Sequence, residues 1–247
     1  MRRLIAAEWF KIRHHKSLPI LVAFAAAFAA VQTHERTVDA GAISGQLGVT
    51  ALASVSPLNG ILLAAFVGFF VAAEFDNGGI RNSLALGKDR LLLYLSKQAS
   101  VFAALAAILL ASGVAATIAG TMRLGFGDMD AAGYLGFLCT IFSLQWLYHA
   151  VYAALFAAIA FIARNPALTV LLSIGAIIFE TVFMAFLGYF DGFAQSVRSV
   201  FPSYNIRLAF FGHTDPAFLT HSVLVSVAAI LLLCAVGAWA FWKAEIK

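Results

Sequence analysis

Glu180 is the one acidic residue inside the long apolar stretches of this sequence. An ionised carboxylate near a bilayer centre costs on the order of 3 kcal/mol on insertion scales. Such a group must be protonated, paired or turned to a wet cavity. Two roles follow from that chemistry. It can line a polar path for a transported molecule, or it can be a neutral acid hydrogen-bonded to a neighbouring hydroxyl or carbonyl that holds the bundle together. His149 precedes Arg164 by 15 residues, and Glu180 follows Asn165 by 15. Both thus lie about 22 Å from the same turn if the flanking segments are helices, and a His149–Glu180 hydrogen bond is compatible with that depth. His149 and Glu180 are the candidate substrate-path residues.

Other chemistry is missing. The nearest approach to a phosphate-binding Gly-x-x-x-x-Gly-Lys-Ser/Thr motif is Gly87-Lys88, but Asn82 stands where the first glycine belongs and Asp89 follows the lysine. His-Glu-x-x-His and Gly-x-Ser-x-Gly are absent, so no metalloprotease or serine-hydrolase centre is expected. Cys139 and Cys234 sit in apolar runs and read as packing residues. No catalytic residue, metal site or cofactor is expected.

The elements that must position Glu180 follow from composition. Of 247 residues, 62% are hydrophobic and 11% charged, and the mean hydropathy is +0.93. A water-soluble domain covers itself with about 25% charged residues. That excludes a soluble globule, a disordered chain and a nucleic-acid binder. Charge-free stretches run over 17–33, 40–73, 98–122, 131–163, 165–190 (broken only by Glu180) and 216–242. A spanning helix needs about 20 apolar residues, and the stretches do not alternate as barrel strands would. The sequence predicts an all-α polytopic membrane protein with six transmembrane helices in one domain over 1–247. The first span has a short apolar core, Leu18 to Val31, behind a basic segment. That arrangement also resembles a signal peptide, but Glu8 and Trp9 in a long leading segment favour a retained helix.

Lys and Arg set the orientation. Twelve of the sixteen fall in residues 1–16, the segment after the second span, the Arg164 turn and the tail. Only Arg36, Arg123, Arg198 and Arg207 lie on the alternate side. Both termini are expected in the cytoplasm of a cell membrane. Residues 1–16 read as an interfacial helix, with Ile5, Trp9 and Ile12 on one side and Glu8, Lys11 and His15 on another. Residues 189–217 are too apolar for a free loop and too short to span, so a re-entrant or interfacial segment is expected there.

The cytoplasmic segment 74–97 is the most informative. Gly78 and Gly79 break the chain after the second span. Residues 80–86 suit a short helix, Gly87 a stop and Asp89 a cap for the long third helix. Ile80 and Leu84 share a face, and Arg81 and Lys88 offer charge. This is either an ordinary positive loop with a surface helix or a rigid projection that receives motion from a separate motor.

Glu74, Phe75, Gly78, Ile80, Arg81, Asn82, Leu84, Gly87, Arg90 and Lys97 resemble a pattern of Glu-aromatic, Gly-Thr-Ile-Arg-Asn, Leu, Gly, Arg and Lys. That pattern belongs to permease subunits of type-2 ATP-binding-cassette exporters, especially those of lantibiotic self-protection and bacitracin-type resistance in bacteria. Gly79 departs from the usual Thr or Ser. The resemblance implies two cytoplasmic ATPase chains, a second permease chain (the same or different), membrane lipid as a further partner, and an amphipathic peptide, antibiotic or lipid-like cargo. It implies that Glu74, Gly78, Ile80, Arg81, Asn82, Leu84, Gly87, Arg90 and Lys97 couple the permease to the ATPase. It also implies that Glu8 and Lys11 make further contacts there, and that the outer helices form a lid over the exit. The residues alone leave other functions open: a proton-coupled secondary transporter using Glu180, a non-transporting anchor subunit, and, remotely, an intramembrane enzyme.

Overall fold

The computed structural model describes residues 2–39, 52–124, 130–190, 193–210 and 215–244. They contain helices, turns and no strand. Helix α1 spans Arg2–His14 and α2 spans Ser17–Asp39. Helix α3, Leu52–Val67, carries Pro57 inside it and runs into a π-turn at Gly68–Ala72. The one-turn helix α4, Ala73–Asp76, and the short α5, Gly79–Ala85, come next. Then come α6, Arg90–Leu124, α7, Ala131–Ala163, and α8, Pro166–Leu187. Two short helices, α9 (Phe193–Arg198) and α10 (Pro202–Phe210), precede α11, Pro216–Lys243. Among the described residues six helices are long and apolar enough to cross a membrane, over Ser17–Glu35, Pro57–Asp76, Arg90–Met122, Ala132–Ala163, Pro166–Leu187 and Pro216–Lys243. The protein is an all-α polytopic membrane protein, as its composition demands.

Helix α7 is the most deeply buried of the six. Its small residues, among them Ala150, Ala153, Ala154, Ala157 and Ala160, are shielded by neighbours. Small side chains let helices approach closely where lipid gives no hydrophobic drive to association. Helices α11, α6 and α10 pack directly against α7, and α2 packs along α6 through Ala25 and Ala29. The expected core of the first span is thus only part of a longer helix that continues to Asp39.

The ends of these helices show the sequence punctuation at work. Asn165 accepts the Leu168 N–H at 2.9 Å, with Pro166 as first residue of α8. Arg164, in left-handed backbone at φ 53°, ends α7. Asp89 accepts the Leu92 N–H at 2.9 Å and caps α6. Helix α5 is bracketed by Gly78 at φ +70° and Gly87 at φ +75°. Neither glycine has a heavy atom within 4 Å of an added Cβ, so backbone conformation alone demands them. A side chain in that conformation costs about 1–2 kcal/mol. Gly87→Ala should therefore lower thermal stability in detergent by about that amount, whereas Gly136→Ala, in open helical surroundings, should leave it unchanged or raise it; circular dichroism melts decide.

Candidate functional site

Helix α5 sits on the bundle by one face. Ile80 is fully buried, Ser83 is buried, and Leu84 packs on the core. Arg81, Asn82 and Leu86 point outward, Leu86 with 79% of its surface exposed. The helix is closed at its start by Asn82 N–H to Gly78 O at 2.9 Å and at its end by Lys88 N–H to Ser83 O at 3.3 Å. The amphipathic division expected for 80–86 is present, and the exposed leucine at the tip is an addition to it. Of the residues implied as contacts, Arg81 and Asn82 face outward, while Ile80 is the seat on which the helix rests.

Behind α5 lies a buried ion network. Lys97, two turns into α6, has a side chain with 0% exposure. Its Nζ donates to Glu8 Oε2 at 2.6 Å and to Glu74 Oε1 at 2.5 Å. Lys11 Nζ donates to Glu8 Oε1 at 3.0 Å and to the same Glu74 oxygen at 2.8 Å. Two ammonium groups and two carboxylates alternate, so the cluster is neutral overall. Burial alone would pull Lys11 down, but hydrogen bonding and charge from Glu74, with Glu8 behind it, outweigh that and hold its ammonium above the ordinary lysine range. The Phe70 ring lies 4.8 Å from Lys97 Nζ and meets His15 edge-on at 5.5 Å. Phe70 belongs to the π-turn. One extra residue in a helix rotates the downstream residues by about 100°, and here the wide turn precedes Glu74, whose carboxylate then meets Lys97.

Helix α1 is turned differently from its predicted orientation. The sequence sets Trp9 with Ile12 and places Glu8 on the opposite, polar side. In the structure Glu8 and Ile12 are buried together, and Trp9 and Phe10 are exposed by 52% and 64%. The i, i+4 pair that packs is Glu8 with Ile12, because Lys97 draws the acid inward. Glu8, Glu74 and Lys97 thus hold elements of this chain to one another; of the charged members only Lys11 is substantially exposed.

The other flank of the segment is aromatic. Phe75 meets Phe161 of α7 at 5.5 Å and Phe241 of α11 at 6.4 Å. Tyr94 meets Phe161 at 4.8 Å. Arg90, the first residue of α6, donates to the Phe241, Trp242 and Ala244 carbonyls at 3.1, 3.0 and 2.7 Å. Those are carbonyls at a helix end, where a cation is favoured, and the Phe241 carbonyl also accepts the Ala244 N–H at 3.3 Å. Arg90 is therefore a clamp on α11. Residues 73–97 are held on one side to α1 and on the other to α7 and α11.

At the far end of the bundle, Glu180 is buried. Its partners are Tyr152, whose hydroxyl donates at 2.7 Å, and the Ser203 N–H of α10 at 3.0 Å. Tyr152 and Ser203 each take one carboxylate oxygen, at the depth where the sequence offers His149. His149 Nδ1 lies 2.8 Å from the Gln145 carbonyl of its own helix, and its ring contacts Tyr152. Tyr152, three residues on and on the same helical face, was the signal to read. Of the segment 189–217, residues 191–192 and 211–214 lie outside the described residues. The remainder forms α9, α10 and the start of α11, and α10 buries Ile206 and Ala209 against the bundle. Among the described residues no group of three His, Cys, Asp or Glu is placed to hold a metal ion.

A family model described as "ABC-2 family transporter protein" matches residues 4–180, more than two-thirds of the chain. The match takes in the ion network, α5 and Arg90, and it ends at Glu180. No curated protein matches significantly.

Two substitutions test the network. Glu74 Oε2 is buried without a hydrogen-bond partner, and it lies 3.4 Å from where a Cβ at Gly79 would stand. Gly79→Ser should supply the missing hydroxyl and raise stability by about 0.5–1.5 kcal/mol, read as a higher melting temperature. Removing one partner from a buried ion pair costs about 3–5 kcal/mol. Glu8→Ala should accordingly release α1, with trypsin cleavage after Lys11 and Arg13 accelerated by at least about tenfold and cleavage at exposed Arg81 and Lys88 unchanged.

Proposed function

This chain belongs to the ABC-2 family of transporter proteins, and on that premise we propose that it is the transmembrane subunit of an ATP-driven exporter that receives its force at α5. The coarse assignment, a multi-pass membrane permease of an ABC transporter, comes with the family. The finer reading is ours. The basic end, with both termini, faces the cytoplasm of a bacterial cell membrane, as the placement of Lys and Arg favours. Two copies of a separate cytoplasmic ATPase hydrolyse the nucleotide, and this chain, a single permease domain over 1–247, pairs with a second permease chain, identical or related. The cargo is an amphipathic peptide, antibiotic or lipid-like molecule drawn from the membrane, so that lantibiotic immunity or antibiotic resistance is the expected phenotype.

The observation that carries this reading is the division of labour within 74–97. One face of α5, with Arg81, Asn82 and Leu86, is open to a partner. The opposite side is tied by ions to α1 and by Arg90 and edge-to-face rings to α7 and α11. A projection held at both flanks transmits a push to the long helices behind it, and a flexible loop would absorb it.

A photoreactive residue at Asn82 or Leu86 should capture a nucleotide-hydrolysing protein in native membranes, identified by mass spectrometry. Arg81→Glu with Leu86→Asp should abolish that capture and co-purification of the ATPase. A chain that transports in proteoliposomes on a pH gradient alone, with no ATPase captured at either position, would instead be a secondary transporter.

A further inference from the structure

The short helix α10, beyond α8 and α9, is hung on the bundle from inside. Glu180 of α8 is 7% exposed, and each of its oxygens takes one donor. The Tyr152 hydroxyl reaches Oε2 from α7, and the Ser203 N–H reaches Oε1 from α10. Ser203 is the second residue of α10. Its N–H is one of the donors that a helix start leaves unpaired, and the positive end of a helix favours a carboxylate there. A second tie lies one turn further on. Gln145 Nε2 of α7 donates to the Ile206 carbonyl at 3.1 Å, with Ile206 and Ala209 packed beneath. Asn205 Nδ2 donates back to the Ser199 carbonyl at 3.0 Å and closes the turn that leads into the helix. The Phe183 and Phe201 rings, 5.5 Å apart, add an apolar contact between α8 and that turn.

We propose that Glu180 is a positioning residue, the buried acceptor that docks α10 on α7 and α8, and that it does not contact the transported molecule. A cationic cargo displacing the Ser203 N–H from the carboxylate would leave that donor unpaired in the interior. Glutamine can keep both contacts. Its amide oxygen accepts the Ser203 N–H, and its amide nitrogen donates to a Tyr152 hydroxyl that has turned about. Leucine can keep neither. Charge is therefore dispensable at position 180, and acceptor geometry is not.

Hydrogen–deuterium exchange of the full chain in phosphatidylcholine–phosphatidylglycerol nanodiscs tests this. Peptides covering 199–210 should exchange slowly in the native chain and within about threefold of that rate in Glu180→Gln. In Glu180→Leu they should exchange at least about tenfold faster, with α6 and α7 unchanged. Tyr152→Phe removes one donor with little change of shape and should raise exchange of the same peptides to an intermediate rate; it decides the matter if Glu180→Leu does not fold. Native protection in both Glu180→Leu and Tyr152→Phe overturns the proposal, and so does exchange in Glu180→Gln as fast as in Glu180→Leu. The readout is protection of α10, so the result is independent of what the chain carries.

Discussion

A lysine ammonium buried beyond the reach of water needs acceptors on every side that a proton points to. Lys97 finds them in Glu8 and Glu74, which come from two separate elements of the chain. Magnitudes indicate what this network does. At 2.6 Å and an effective dielectric constant of 20, one such pair attracts by roughly 6 kcal/mol. Taking each ion out of water costs several kcal/mol. The terms nearly cancel, so the network adds little to total stability. Its contribution is to orientation, because this arrangement of α1, α4 and α6 pairs all four charges, and separating Lys97 from its carboxylates strands a charge in the interior.

The rest of the basic end depends on that arrangement. The π-turn at Gly68–Ala72 brings Glu74 round to Lys97 and sets the Phe70 ring against the ammonium. With Glu74 fixed, Gly78 turns the chain through left-handed backbone and starts α5 beside it. Ile80 seats the helix, Gly87 ends it, and Asp89 and Arg90 start α6 while Arg90 grips the end of α11. The segment carrying α5 is thus tied to α1 through ions and to α11 through hydrogen bonds. That double attachment is the physical basis of the coupling role proposed for this segment.

Much of this was legible in the amino-acid sequence, and the limit has a physical cause. Local signals suffice for the apolar stretches that form spans, the glycines around α5, the Asp89 cap, and the Ile80–Leu84 face. Each depends on neighbours within a turn or two. Contacts between distant residues were not readable. The helical wheel of α1 puts Glu8 on the wrong side because its partner lies 89 residues away. Depth from the Arg164 turn places Glu180 at the right level but leaves azimuth undetermined, so His149 stood in for Tyr152. The same gap hid the Ser203 contact, since nothing local says that a short outer helix begins at a buried carboxylate. The departure at Gly79 could be noticed, but its meaning required the unpaired Glu74 oxygen beside it.

If the Glu8–Lys97 pair acts as one unit, a double-mutant cycle measures that directly. Unfolding free energies would be determined in detergent micelles for the native chain, Glu8→Gln, Lys97→Met and the double variant. Contacting residues in one network couple by about 0.5–3 kcal/mol, and a coupling of about 2 kcal/mol is expected here, with the double variant less destabilised than the sum of the single ones. Strict additivity, a coupling near zero, would contradict this, because the buried Glu8–Lys97 contact would then contribute nothing to holding α1 and only the half-exposed Lys11–Glu74 pair and apolar contact would remain.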